Sequence, residues 1–118
     1  MRVDKDLQWM KPYIQKALKA FPKLKAVKHI HCVETTFDLD IEQPAAAYAD
    51  GNAREMEIYL ALYLQKKQSQ YKYNQVEMIE FLAHEFCHVY FDGHVPMKDF
   101  IQMEAKIMLT MMDDGIRE

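Results

Sequence analysis

The stretch that most constrains this chain is residues 81–91, Phe-Leu-Ala-His-Glu-Phe-Cys-His-Val-Tyr-Phe. Within it His84, Glu85 and His88 form His-Glu-x-x-His. On an α-helix, residues four apart lie one turn above each other, with Cβ atoms about 5–6 Å apart. Two imidazoles placed so can reach one metal ion at about 2.0–2.1 Å each. Glu85 sits about 100° further round the helix, where its carboxylate can touch an activated water without being a ligand. Metal, water and general base together are the parts of a zinc hydrolase. Every other residue of the run is apolar or aromatic, counting Cys87 and Tyr90 as such. A helix apolar nearly all round is expected to be buried, and burying three ionisable groups is costly unless they are paired or hold a metal. The metal-free alternative is two buried histidines bonded to backbone, with Glu85 in an ion pair.

The chain has 118 residues, half of them apolar, and only seven are Gly or Pro. That length and composition predict one globular domain over residues 1–118 with a single core. No apolar run approaches the roughly 20 residues of a membrane helix, and no apolar stretch follows the charged start as in a signal peptide. A cytoplasmic location is therefore expected, with Cys32 and Cys87 as free thiols. The net charge is −3, unevenly spread: residues 1–28 hold eight of the fifteen Lys/Arg against Asp4 and Asp6. A solvated lysine-rich face explains this, and a dock for an acidic partner is the alternative. No aromatic-interleaved basic stripe suggests direct nucleic-acid binding, and no membrane partner is expected.

Residues 4–21 carry Leu7, Met10, Ile14, Ala17, Leu18 and Phe21 at helical spacing. Pro12 fits the first turn of a helix beginning there, with a separate turn before it. This helix is expected to cover a sheet. Residues 25–33 read as a strand whose His29 and His31 share one face. Such a pair can bind metal, but a half-exposed strand face is the ordinary explanation. Phe37, Leu39 and Ile41 alternate with acids and suggest a further strand. Residues 45–62 read as a hairpin turning at Asp50-Gly51-Asn52. Its small-sided first arm suits an exposed edge, where a peptide could add by main-chain hydrogen bonds. Residues 65–73, polar and lysine-rich, read as a loop or helix start. Asn74 and Glu77 form a capping box that opens a helix over about 75–91, closing at Asp92-Gly93. Pro96 starts a last helix over about 96–112.

Zinc wants a third protein ligand and an open position. On the last helix Met97, Phe100, Ile101, Ile107, Met108 and Met111 form an apolar stripe with Glu104 at its centre. A carboxylate there needs a partner: a metal, a cation, or a buried histidine. His94, ten residues after His84, is a rival. The metzincin pattern with that spacing needs a glycine where this chain has Phe91, and a bulky residue resists the sharp turn. Asp92 is a weaker candidate, better read as a helix-end residue.

Ala83-His84-Glu85-Phe86-Cys87-His88 followed by Glu104-Ala105 resembles the gluzincin branch of zinc peptidases. Within it the likeness is to small single-domain members, the ImmA/IrrE-like peptidases and the minigluzincins. It covers about residues 45–112. Cys87 stands where many ImmA-like chains have Gly, and the interval from His88 to Glu104 is short for them. SprT-like proteases share the first motif but usually take a third histidine. The resemblance implies an α+β, zincin-like domain. An N-terminal helix would pack on a short, twisted, mostly antiparallel sheet, followed by the His-Glu-x-x-His helix and a C-terminal helix. It also implies Zn²⁺ held by His84, His88 and Glu104, with Glu85 as general base of a metallopeptidase. The substrate would be a polypeptide laid along the edge strand near residues 45–49. Tyr48, Tyr59, Tyr71, Tyr73, Tyr90 and His94 compete as the second oxyanion donor. The rival function is a zinc-bound latent or regulatory module that turns nothing over, and a metal-free helical domain is a third.

Overall fold

Two helices near the C-terminus carry His84, Glu85, His88 and Glu104, and the capping chemistry explains where the first begins. In the computed structural model, which describes residues 1–34, 47–51, 56–66, 69–91 and 95–113, helix α2 spans Gln75–Tyr90. Both halves of the capping box are formed. Asn74 Oδ1 accepts the Glu77 N–H at 2.9 Å, and Glu77 Oε1 accepts the Asn74 N–H at 3.1 Å. Two donors that would otherwise lack partners are thus satisfied. One broad face of α2 is core: Met78, Ile79, Leu82, Ala83, Phe86, Cys87 and Val89 are buried. The other face corrects the expectation of a helix buried all round. Glu80, His84 and His88, four residues apart, form a stripe reached by solvent. Of the three motif residues only Glu85 is buried. Helix α3, Met97–Met112, begins after Pro96 and packs on α2. Ile107 and Met111 are buried, whereas Met97 and Ile101 are exposed. The stripe expected on this helix is therefore core at one end and open at the other.

The sheet has the strand order β1-β2-β4-β3, with β1 Arg2–Val3, β2 Val27–Val33, β3 Ala47–Gly51 and β4 Met56–Ala61. β1, β2 and β4 are mutually parallel, and only the β3–β4 hairpin is antiparallel. This overturns the mostly antiparallel sheet. A parallel pair needs a long crossover, commonly helical. Between β1 and β2 that crossover is a 3-10 segment (Lys5–Met10), helix α1 (Lys11–Ala20) and a second 3-10 segment (Pro22–Ala26). The helix is legible, but a two-residue β1 has no periodicity to announce it.

The hairpin at residues 45–62 is present, with Ala47 opposite Leu60 and Gly51 opposite Met56. Asp50 and Gly51 extend β3 rather than turning, and Asn52 lies outside the described residues, as does the strand expected at Phe37–Ile41. Among the described residues β3 has a strand neighbour on one side only, so it is an edge. Residues 65–73, expected as a loop or helix start, instead contribute to a second hairpin. β5 (Tyr63–Lys66) pairs antiparallel with β6 (Ser69–Lys72), Lys66 opposite Ser69. Its link, Lys67-Gln68, contains none of the Gly or Asn residues that mark tight hairpins.

Leu7, Met10, Ile14 and Ala17 bring the first 20 residues into the core beside Val27, Ile30, Ile58 and Leu60. Full burial of each Leu or Ile contributes about 1.5–3 kcal/mol. Helix α1 packs chiefly on α3, and Lys16 Nζ donates to the Asp113 carbonyl at the end of α3. The helix that covers β3 and β4 is α2, not the N-terminal one. Among the described residues, no helix is long and apolar enough to cross a membrane.

Candidate metal centre

The helical spacing of His84 and His88 brings their rings together at the open face of α2. Nε2 of His84 lies 3.2 Å from Nε2 of His88. Two nitrogens sharing one tetrahedral zinc at about 2.0–2.1 Å stand about 3.3 Å apart, so the separation of the pair matches that of two ligands on one ion. Glu104 reaches them from α3: its Oε2 accepts from His84 Nδ1 at 2.5 Å. A carboxylate at Nδ1 fixes that ring's tautomer and leaves the Nε2 lone pair for a cation. Burial holds the His88 imidazole below its ordinary pKa, and electrostatic repulsion from the neighbouring His84 adds to this while Glu104 opposes it. The residue is exposed as a whole, but its ring packs against Phe100 at 4.7 Å between centroids. A neutral imidazole is the form that binds metal.

The structure places Glu104 against the far nitrogen of His84, beside the pair rather than between its two Nε2 atoms. It is also less buried than the sequence suggested, with 31% of its side chain exposed. Glu85 is buried, with 7% exposure. A cleft of about 520 Å³ opens beside the pair, lined by His84, His88, Phe91, Val95, Met97, Phe100, Ile101 and Glu104. Glu85 is not among these lining residues. Phe100 was legible only as part of an apolar stripe, yet its ring touches both imidazoles, 5.2 Å from His84 and 4.7 Å from His88. The available signal was spacing: Phe100 and Glu104 are one turn apart and so share a face.

The other residues singled out lie elsewhere. His94 and Asp92 fall outside the described residues, as does the side chain of Tyr48. Tyr71 donates to Glu77 Oε1 at the start of α2. Tyr73 packs on Phe81, Tyr90 packs on Phe21, and Tyr59 stacks on His31. None of Tyr59, Tyr71, Tyr73 and Tyr90 lines the cleft. Cys32 and Cys87 are free thiols. His29 and His31 do share a face of β2, and acids from other elements meet them: Asp4 Oδ1 at His29 and Glu57 Oε1 at His31. Burial alone would raise the Asp4 carboxyl, but the Cys32 N–H and the two histidines hold it below its ordinary value. The hydrogen bond from His31 likewise lowers Glu57.

Comparisons with protein-family models, with curated proteins and with solved structures find no match for this chain.

Proposed function

We propose that the chain is a zinc-dependent peptidase whose ion is held by Nε2 of His84 and Nε2 of His88. The observation that carries this reading is the 3.2 Å approach of those two nitrogens on the open face of a capped helix. Glu104 is the third ligand in this reading. To ligate, its carboxylate would leave His84 Nδ1, where it now accepts a hydrogen bond, and turn toward the two Nε2 atoms. A bound Zn²⁺ would supply Lewis acidity, polarising the scissile carbonyl and acidifying the attacking water. Glu85 accepts that water's proton on its carboxylate and passes it to the leaving amine. An extended polypeptide lies along the side of β3 that has no strand neighbour among the described residues, through main-chain hydrogen bonds. An apolar substrate side chain enters the cleft between Val95, Met97, Phe100 and Ile101. Tyr48 and His94 are the candidates for the second oxyanion donor.

A second reading is a zinc-binding module without turnover. It is favoured by the burial of Glu85 away from the cleft lining and by the position of Glu104 at Nδ1, where a carboxylate orients a ligand rather than acting as one. Casein hydrolysis by the purified chain, with and without a chelator, separates the two. The peptidase reading expects chelator-sensitive cleavage that Glu85→Gln abolishes while zinc stays bound. Bound zinc without cleavage supports the module. Cleavage by Glu85→Gln equal to that of the unsubstituted chain refutes the assigned base.

A further inference from the structure

A second group of metal-ligating side chains stands on the sheet, apart from α2 and α3. In the β2–β4 register His29 lies opposite Glu57 and His31 opposite Tyr59. All four therefore project from one face, while Ile30, Ile58 and Leu60 fill the core on the other. A bulge at Lys28 sets this phase, because β2 slips by one residue against β4 between Val27 and His29. The His29 and His31 rings lie 3.6 Å apart between centroids, and His31 is stacked on Tyr59 at 4.4 Å.

Asp4 comes to this face from the end of β1. Its N–H donates to the Ile30 carbonyl at 3.1 Å, and its Oδ2 accepts the Cys32 N–H at 2.9 Å. Anchored at both points, it presents Oδ1 to His29 Nε2 at 2.6 Å. One donor atom each from Asp4, His29 and His31 lies within 4.8 Å of the others. Glu57 Oε1, 3.1 Å from His31 Nε2, stands beside them as a fourth donor. All four side chains are partly exposed, so an ion has a path in.

We propose that Asp4, His29 and His31, with Glu57 beside them, bind a divalent transition-metal ion of the zinc class that clips the N-terminal segment to the central strand of the sheet. Two imidazoles and a carboxylate are a donor set for Zn²⁺ and its first-row neighbours rather than for Mg²⁺ or Ca²⁺, which prefer all-oxygen sites. Two carboxylates balance the charge of the ion. Binding replaces the Nε2–H···carboxylate bonds with nitrogen–metal bonds and releases or relocates the ring protons. The clip joins Asp4 to a strand residue 25 positions later and thereby restrains the whole α1 crossover. It does not depend on the reading of His84 and His88.

The test uses the full chain carrying His84→Ala and His88→Ala, stripped of metal and then dialysed against Zn²⁺. The expected result is one zinc per chain by elemental analysis and a Tm raised by Zn²⁺ and lowered again by chelator. Adding Asp4→Asn weakens zinc binding about tenfold or more. Nitrogen NMR of the three remaining histidines shows shifts at His29 and His31. A folded double variant that takes up no zinc overturns the proposal. So does an Asp4→Asn chain of unchanged affinity, or a shift confined to His94. Loss of hydrolysis in the double variant bears only on the α2 pair.

Discussion

Two histidine pairs sit in this chain, and they differ in how they are built. On α2 the partners are four residues apart, the spacing of a helical turn, and the acid that meets them, Glu104, comes from the next helix, α3. On β2 the partners are two apart, the period of a strand, and both acids arrive from elsewhere, Asp4 from the end of β1 and Glu57 from β4. The helical pair stands at an apolar cleft whose lining carries one carboxylate. The strand pair faces away from the core, with two carboxylates and a tyrosine around it. The helical site draws on two consecutive helices, whereas the sheet site is assembled from β2, β4 and the end of β1.

The sharpest way to break this contrast is Glu85→Gln. As general base, Glu85 is expected to contribute about 10²–10⁴-fold to hydrolysis, so the variant should lose that much kcat in a peptide assay and keep its zinc by elemental analysis. Phe86, fully buried on the same helix, tests how firmly the helical pair is mounted. Phe86→Ala should cost about 3–5 kcal/mol in urea unfolding. Glu104→Gln sharpens the comparison at the ligand level. A loss of zinc affinity beyond 100-fold marks a ligand, whereas about 10–100-fold marks an orienting partner. Asn74→Ala removes one half of the capping box and should cost about 1 kcal/mol, read as a lowered Tm.

The smallest effect concerns the thiol beside each pair. Burial pushes Cys87 up to about 11, helped by the charge of Glu104, and Cys32 up to about 11, helped by Asp6 and Asp4. Both should therefore alkylate slowly at neutral pH. The thiolate fraction rises with pH until about 11, so the rate should climb about tenfold per unit below that value. Iodoacetamide labelling across pH 7–10 reads this directly, and Cys87, which is wholly buried, should be the slower of the two.

The helices were legible because their signals are local. Asn74, Glu77 and Pro96 mark starts within one turn of the residues they cap, and the observed bounds of α2 and α3 follow them closely. The β3–β4 hairpin was legible from the alternation of Ile58 and Leu60. The parallel order was not, since it depends on Arg2–Val3 joining a strand more than 20 residues later. Nor was the β5–β6 hairpin, whose Tyr-Leu-Gln-Lys and Ser-Gln-Tyr-Lys arms lack an alternating apolar pattern. At the helical site the His84–His88 approach was legible from spacing. The exposed face of α2 was not, because only the packing of α3 decides which side stays open. Asp4 and Glu57 could not be assigned to His29 and His31 from sequence, since nothing in a strand's own residues names what crosses its face.

The most direct test of the central claim is nitrogen NMR of the five imidazoles while metal-stripped chain is titrated with Zn²⁺. The account predicts that Nε2 of His84 and Nε2 of His88 shift together to metal-bound values at one equivalent of ion per pair, with the proton retained on His84 Nδ1. If both resonances stay unchanged at saturating zinc in a folded chain, the helical pair holds no ion and the peptidase reading fails with it.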